Sequence, residues 1–364
     1  ETMQRHMSAN TMAGAVTAVV RRGRLAHLEA HGLMDIEAKK PMTKDAVFRI
    51  WSMSKVVGGV AILMLMEEGK IRLNDPVSKF VPAFKGMKVS VLQDGPGYTV
   101  PANREITIQD LLTHVSGLGS GAASAAEIRK IVRTPTDTLA GFIPKLGATP
   151  LDFQPGSRWS YSAAAAFDTL AYVVQVASGQ PVDQFLRQRL FEPLGMKDTF
   201  FSPPVSSASR VVTAYHRADG KLVKVENPNR MVSTTYFGLG GGLMSTAEDY
   251  VQFGAMLAEG GQWNGKRILS PKTVELMGSA FVPDTLPGRT AGIGYGLSVQ
   301  VVTNPIAAGY RVSAGTFGWD GAYGTHFWAD PKERIAGVML IQTDNPDRQL
   351  DRDFEAAVWQ AIID

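Results

Sequence analysis

The composition of this 364-residue chain is that of a globular protein, because 45% of its residues are hydrophobic and 9% are aromatic. Its 37 Lys and Arg residues nearly balance 34 Asp and Glu residues and form no long basic run, so we expect no nucleic-acid partner. The absence of cysteine excludes disulfides, thiol catalysis and cysteine metal sites.

The chain begins with a polar segment and then predicts a sheet. The opening ETMQRHMSANTMAG contains no apolar stretch flanked by basic residues, so we expect a cytoplasmic protein. Because residue 1 is not methionine, removal of a leader stays open as the alternative. The next segment, GAVTAVVRRGRLAHLEAHG, alternates apolar with polar or small residues on both sides of Arg22 and Gly23, which predicts an antiparallel hairpin.

The most hydrophobic segment of the chain follows this hairpin. Val56–Met66 (VVGGVAILMLM) is too short to span a bilayer and is followed by Glu67, Glu68 and Gly69. It therefore predicts a buried core helix that ends at Gly69, and we expect no membrane partner.

The middle of the chain, residues 76–284, has mostly helical patterns. Thr107 is the predicted N-cap of one helix, and another is predicted to stop before Pro193. Farther along, Ser245 and Glu248 have the spacing of a capping box.

Strand patterns return in the last part of the chain, in GYGLSVQVV, GYRVSAGTFGWDGAYG, THFWADP and RIAGVMLIQ, before a terminal helix in DFEAAVWQAIID. Since sheet-forming segments lie at both ends, we predict an α+β fold. Residues 1–75 and 285–364 are expected to form one domain, an antiparallel sheet flanked by helices. Residues 76–284 are expected to form an inserted, mainly helical domain, with the active site in the cleft between the two.

A candidate nucleophile and base stand at the start of the core helix, in the sequence SMSK. Ser52 and Lys55 are three residues apart, so on a helix their side chains lie on one face. A serine at a helix N-terminus gains from the helix dipole, and a lysine in an apolar site loses proton affinity and can act as a base. In the alternative, structural interpretation, Ser52 only caps the helix and Lys55 extends to solvent. An apolar helix directly after Lys55 favours catalysis, because a charge there is costly.

Two further motifs follow SMSK in order. PGSRWSYSAAAAF contains Tyr161, and FGWDGAYG contains Trp319, Asp320 and Gly321. Four scaffold phrases accompany them: GKIRLNDPV, ITIQDLLTHVSGL, LFEPLGM and GGLMSTAEDYVQF. Over nearly the whole chain, the sequence resembles the serine β-lactamase and penicillin-binding protein superfamily, and within it the class C β-lactamase-like carboxylesterases called family VIII esterases.

The resemblance implies a role for each motif. Ser52 would be the nucleophile, Lys55 its base, and Tyr161 the phenol that passes a proton to the leaving group and helps to activate the deacylating water. The oxyanion hole would consist of the backbone N–H groups of Ser52 and Ala322, with Ala322 following the third motif on an edge strand.

The motifs also depart from those of β-lactam hydrolases. There the third motif begins with a lysine that holds the substrate carboxylate, and the tyrosine motif ends in an asparagine. Trp319 and Ala163 stand at those places here, which makes the pocket more apolar and favours a neutral small-molecule ester. We expect Trp319, Asp320 and Gly321 to bind substrate. Asp320 replaces the glycine usual in the family, and an exposed carboxylate there would disfavour anionic acids.

The sequence thus predicts a serine carboxylesterase that hydrolyses short-chain esters through an acyl-enzyme and needs no cofactor. A β-lactamase, a D-Ala-D-Ala peptidase and an acyltransferase are alternatives within the fold. A non-catalytic binding module is the alternative from another class, and the joint presence of all three catalytic candidates speaks against it. No pattern indicates an oligomeric state.

The histidines predict neither a metal site nor a catalytic triad. They are scattered along the chain, and we expect no metal site from them; they are His6, His27, His31, His114, His216 and His326. No G-x-S-x-G elbow accompanies them. His114 follows an amphipathic helix in a scaffold phrase, and we interpret it as structural.

Overall fold

The computed structural model describes residues 1–91 and 97–363, in which helices and strands are distributed along the whole chain. The α-helices are α1 (Thr2–Ser8), α2 (Ser54–Glu67), α3 (Ile108–Leu112), α4 (Ala122–Lys130), α5 (Leu139–Phe142), α6 (Ala165–Ser178), α7 (Val182–Leu186), α8 (Glu192–Leu194), α9 (Ala247–Ala258), α10 (Pro271–Met277), α11 (Pro305–Ala308) and α12 (Gln349–Gln360). The strands are β1 (Gly14–Arg21), β2 (Arg24–Asp35), β3 (Lys40–Pro41), β4 (Phe48–Arg49), β5 (Lys88–Val91), β6 (Tyr98–Pro101), β7 (Tyr215–Ala218), β8 (Lys221–Lys224), β9 (Met244–Ser245), β10 (Gln262–Trp263), β11 (Lys266–Arg267), β12 (Ile293–Tyr295), β13 (Gln300–Val302), β14 (Phe317–Asp320), β15 (His326–Asp330), β16 (Ile335–Leu340) and β17 (Thr343–Asp344).

Both ends of the chain contribute to one antiparallel sheet, which in the described residues has eight strands in the order β12-β13-β14-β15-β16-β1-β2-β3. β1 pairs with β2 on one side and with β16 on the other. The predicted hairpin of β1 and β2 is confirmed, with φ of 48° at Arg22 and 76° at Gly23 in its turn. The predicted α+β fold class is confirmed by this sheet and its helices.

Helices cover both faces of the sheet. α9 packs against β1, β15 and β16. On the opposite face, α1 and α12 bury an apolar cluster that includes Met3, Trp328 and Phe354. β1 is therefore apolar on both sides, and Val16 belongs to the main core while Val19 belongs to the cluster under α12.

The helical layer is centred on α2, the predicted core helix, whose residues 54–65 are buried. α6 packs along α2, and α3 and α7 pack against α6. Gly69 follows α2 with a φ of 72°, which is the left-handed conformation that the predicted helix end requires. α9 also lies within the range 76–284 that we expected to form the inserted helical domain, yet it packs on the sheet, because its apolar face covers β1 and β16.

The N-cap at Thr107 is confirmed, since its hydroxyl accepts the Asp110 N–H at 3.2 Å. The predicted Ser245–Glu248 capping box is wrong by one residue. The N-cap of α9 is Thr246, whose hydroxyl accepts the Asp249 N–H at 3.2 Å.

The helix predicted to stop before Pro193 continues past it. A π-helical segment, Arg187–Phe191, joins α7 to α8, and α8 contains Pro193 and ends at Leu194, with Gly195 as its C-cap. The wider π turn rearranges the hydrogen bonds where proline has no N–H to donate, so the chain keeps its helical course.

No helix in residues 1–91 and 97–363 is both long enough and apolar enough to cross a membrane. α2, which is almost wholly apolar, has 14 residues, whereas a spanning helix needs about 20.

Candidate active site

The first motif lies on a sharp turn that leads into α2. Trp51–Met53 form one turn of 3-10 helix, and α2 begins at the next residue. Trp51 has a φ of 48°, in the left-handed region that costs a residue with a side chain about 1–2 kcal/mol. Its indole is buried against Tyr323 in an edge-to-face contact with centroids 4.9 Å apart. This packing holds the strained residue directly before Ser52, and such strain is common at functional sites.

Lys55 is a fully buried cation, with 0% of its surface exposed. Its Nζ donates to Ser52 Oγ at 3.1 Å, to the Ala163 carbonyl at 2.7 Å and to the Gly240 carbonyl at 2.5 Å. These three acceptors match the three N–H bonds of an ammonium group. They offset the cost of burying the charge and fix the amine one helical turn from Ser52.

Tyr161 contacts the same serine. Its phenol donates to Ser52 Oγ at 2.7 Å, and Lys55 Nζ lies 5.0 Å from the centre of its ring. Ser52 is half-buried, so its hydroxyl is both reachable and held between an amine and a phenol. The structure thus brings the three predicted catalytic residues together, with two groups beside Ser52 Oγ that can accept or donate a proton.

A buried carboxylate to which the sequence analysis gave no role supports Lys55. Asp168 accepts the Gly240 N–H at 2.8 Å and the Tyr236 hydroxyl at 2.9 Å. Gly240 in turn presents its carbonyl to Lys55. Burial raises the pKa of Asp168, although these two hydrogen bonds oppose the rise. The signal that could have revealed it is an acidic residue within the otherwise apolar α6.

The end of β14 lies against the turn Trp51–Met53, which carries the predicted nucleophile and is called the nucleophile turn below. A Cβ on Gly321 would come within 2.5 Å of the Ile50 carbonyl oxygen, so only glycine permits this approach. Thr325 Oγ1 donates to the same carbonyl at 3.2 Å. The contact brings Ala322 close to the turn that carries Ser52.

β14 is not the edge strand that we expected before Ala322. β13 pairs with it, but only at Phe317 and Gly318, whereas β15 pairs along its whole length. The C-terminal half of β14, Trp319 and Asp320, therefore does not pair with β13.

Trp319 and Asp320 lie on opposite faces of the sheet. The Trp319 ring packs against Tyr161, with centroids 5.4 Å apart. Asp320 was expected to bind substrate beside it, but its carboxylate accepts from His326 Nδ1 at 2.7 Å and lies 3.4 Å from Arg348 of the α12 segment. Strand geometry explains the difference, because successive side chains alternate between the two faces, and substrate binding by Asp320 stays a prediction.

One group of side chains near Asp320 has the composition of a metal site. The ligand atoms of Asp320, His326 and Asp351 lie within 4.8 Å of one another. The second ring nitrogen of His326, Nε2, forms a hydrogen bond with Glu355 Oε1 at 3.0 Å. Arg348 lies 3.4 Å from Asp320 and 3.2 Å from Asp351, so cationic side chains already balance these carboxylates. The arrangement fits an ion-pair network better than a metal site.

Comparison with known proteins identifies the family of this chain. Residues 1–359 match the Beta-lactamase family model. The chain is 36% identical over 360 residues to Protein Rv1367c of Mycobacterium tuberculosis H37Rv, covering 94% of this chain and 88% of that protein. It is 30% identical over 354 residues to Esterase EstB of Burkholderia gladioli, covering 91% and 86%. The solved structure of EstCE1, a hydrolase with promiscuous acyltransferase activity, superposes with a TM-score of 0.83 at 26% identity, covering 98% and 96%. The chain therefore belongs to the β-lactamase family of serine hydrolases.

Proposed function

We propose that the protein is a serine carboxylesterase that hydrolyses short-chain, uncharged esters through an acyl-enzyme on Ser52. The observation that carries the proposal is the contact of Ser52 Oγ with both Lys55 Nζ, at 3.1 Å, and the Tyr161 hydroxyl, at 2.7 Å. The esterase activity named for EstB and the hydrolase activity named for EstCE1 support it.

In the acylation half of the reaction, Ser52 Oγ attacks the carbonyl carbon of the ester. Lys55 acts here as the free amine: it takes the serine proton and becomes the ammonium, and Tyr161 delivers its phenolic proton to the alcohol oxygen as the C–O bond breaks, which leaves a phenolate. The backbone N–H groups of Ser52 and Ala322 stabilise the oxyanion that forms between these steps. The alcohol leaves, and the acyl group stays on Ser52.

In the deacylation half, water attacks the acyl carbon. The Tyr161 phenolate accepts a proton from the water, and the Lys55 ammonium returns its proton to Ser52 Oγ as the acid departs, which restores both groups. The reaction uses only side chains and backbone groups of this chain, and the proposal includes no cofactor.

The charges around the nucleophile favour an uncharged substrate. Trp319 stands where β-lactam hydrolases have a lysine, and its ring packs on Tyr161 rather than presenting a cation. Lys55, the basic side chain that contacts Ser52, is held by two backbone carbonyls and is fully buried. A substrate carboxylate would therefore find little compensation for the water that it loses on binding.

The test follows p-nitrophenyl acetate and butyrate hydrolysis by the wild type, by Ser52→Ala and by Ser54→Ala, with intact-protein mass spectrometry of any acyl adduct. Ser54 is a matched control, because its buried hydroxyl accepts the Leu243 N–H at 3.1 Å two residues from the nucleophile. We expect turnover and an adduct on Ser52 in the wild type and in Ser54→Ala, and neither in Ser52→Ala. Wild-type turnover by Ser52→Ala would refute the mechanism, and no turnover by the wild type would refute the proposed activity.

A further inference from the structure

His114 holds the backbone on both sides of Tyr161. Its main-chain carbonyl accepts the N–H of Ser160 at 3.1 Å, and its side-chain Nδ1 accepts the N–H of Ser162 at 3.1 Å. Ser160 and Ser162 are the two chain neighbours of Tyr161. The pair of hydrogen bonds therefore fixes the peptide from which the phenol extends.

The imidazole of His114 also contacts the phenol ring. The two ring centroids are 4.7 Å apart, and only 1% of the His114 surface is exposed. Tyr295 and Phe167 lie on other sides of the imidazole, each with a centroid distance of 5.3 Å. Because the interior is closely packed, neither His114 nor Tyr161 can shift without displacing these neighbours.

The neutral form of the His114 imidazole leaves Nδ1 able to accept a hydrogen bond. Since Nδ1 accepts a hydrogen bond from Ser162, the proton of the neutral ring lies on Nε2. Burial lowers the pKa of His114 well below 6.5, and the positive charges of Lys55 and Arg289 lower it further. The ring therefore stays neutral at ordinary pH and keeps its lone pair for Ser162.

The backbone of His114 is itself strained. Its φ of 59° lies in the left-handed region, which costs most residues about 1–2 kcal/mol and which asparagine and glycine tolerate better. Packing alone does not require histidine at such a position.

We infer that His114 is a positioning residue that keeps the Tyr161 phenol within hydrogen-bonding distance of Ser52 during both proton transfers. This inference rests on the proposed esterase mechanism. Loss of the His114 contacts should lower turnover, because a small displacement of Tyr161 would lengthen the 2.7 Å contact between its hydroxyl and Ser52 Oγ.

Two substitutions separate the acceptor from the rest of the side chain. His114→Asn puts Oδ1 at the same number of bonds from Cβ as Nδ1 and tolerates the left-handed backbone. His114→Gly removes the acceptor and relieves the strain. Thr113→Val is the matched control, because Thr113 is the buried neighbour whose hydroxyl donates to the Gln109 carbonyl at 2.8 Å.

The measurement is kcat for p-nitrophenyl acetate per reactive site, with sites counted by complete titration of Ser52 with a fluorophosphonate. Correction for the number of sites removes the effect of partial unfolding. For His114→Gly we expect kcat to fall by about 10- to 100-fold with KM changed by less than about twofold, because positioning acts on the transition state. His114→Asn should restore kcat to within about threefold of the wild type, and Thr113→Val should leave it unchanged.

Two results would overturn the inference: a wild-type kcat per site in His114→Gly, or no recovery in His114→Asn. If His114→Gly does not fold, comparison of His114→Asn with His114→Gln decides, because the glutamine acceptor lies one bond farther from Cβ. The two proposals fail in different ways. Absence of a Ser52 adduct in the wild type refutes the esterase, whereas an active wild type matched by His114→Gly refutes only the positioning role.

Discussion

The two faces of β14 carry different chemistry on adjacent residues. One face of β14 points toward Tyr161, and we call it the cleft face. On it, Trp319 packs against Tyr161 and Tyr295, with centroid distances of 5.4 and 5.2 Å. On the opposite face, Asp320 accepts from His326, whose other ring nitrogen lies 3.0 Å from Glu355 of α12. Neighbouring residues of one motif therefore need not face the same site. Strand alternation gives one residue to the cleft and the next to the scaffold.

The other face of β14, which carries Asp320 and points toward α12, is here called the scaffold face. Ion pairs of His326 with Asp320 and Glu355 stabilise it. Burial alone would lower the pKa of His326, but hydrogen bonds to Asp320 and Glu355 outweigh it and raise that pKa well above 6.5. His326 is thus a buried imidazolium between two carboxylates. Because Asp320 directly precedes Gly321, the network ties α12 to the end of β14 that lies against the nucleophile turn.

The largest effect should come from the cleft face, where a substitution acts on turnover and leaves stability nearly intact. Tyr161→Phe removes the hydroxyl that contacts Ser52 and should lower kcat by about 10²- to 10⁴-fold. Steady-state kinetics and urea unfolding measure the two quantities. Tyr172→Phe, in the middle of α6, is the matched control with unchanged kcat. A similar loss in both variants, or none in Tyr161→Phe, would contradict the assignment.

The opposite result is expected on the scaffold face. His326→Gln replaces an imidazolium that bonds two carboxylates and should lower the free energy of unfolding by about 2 kcal/mol at pH 6. We expect kcat per titrated site to change by less than about threefold. A kcat loss as large as that of Tyr161→Phe would erase the distinction between the two faces.

The pH dependence of this stability has a definite sign. The folded pKa of His326 is above the unfolded value of 6.5, so its contribution is complete below pH 6.5 and is lost as pH rises through the folded pKa. Urea unfolding of wild type and His326→Gln between pH 5.5 and 9 should show a difference in stability that shrinks as pH rises. A difference that stays constant or grows would contradict the imidazolium assignment.

The sequence was informative where local spacing determines geometry. Ser52 and Lys55 meet because residues three apart on a helix share a face, and the structure brings them within 3.1 Å. The central sheet was predictable from the strand patterns at both ends of the chain. Tyr161 was identified only through the family resemblance, since no local pattern distinguishes it from a core aromatic residue.

Three features could not be predicted from the sequence, because they depend on which helix packs on which face of a strand or helix. The role of Asp168 requires knowing that Gly240, far along the chain, lies beside α6. The direction of Asp320 depends on the alternation within β14 and on α12 packing behind it. The packing of α9 on the sheet depends on the same information, because an amphipathic helix does not identify the layer that it covers.

A smaller effect on the cleft face should appear in substrate preference. Trp319→Lys places a cation where β-lactam hydrolases have one and should raise the ratio of nitrocefin to p-nitrophenyl acetate hydrolysis by about tenfold, equal to about 1.4 kcal/mol. Trp319→Phe keeps an uncharged aromatic ring and should leave the ratio unchanged. If both variants shift the ratio equally, the loss of the indole rather than the gain of charge is responsible.

The smallest effect is expected from Asp320→Asn, next to Trp319 in sequence but on the other face. The Asp320 side chain is 42% exposed, so loss of its charge should lower the free energy of unfolding by less than about 1 kcal/mol. If its carboxylate faces α12, it cannot repel an anionic acyl group in the cleft. The ratio of kcat/KM for p-nitrophenyl butyrate to that for mono-p-nitrophenyl glutarate should then change by less than about twofold. A tenfold gain on the anionic ester would place Asp320 beside the substrate and would break the contrast between the two faces of β14.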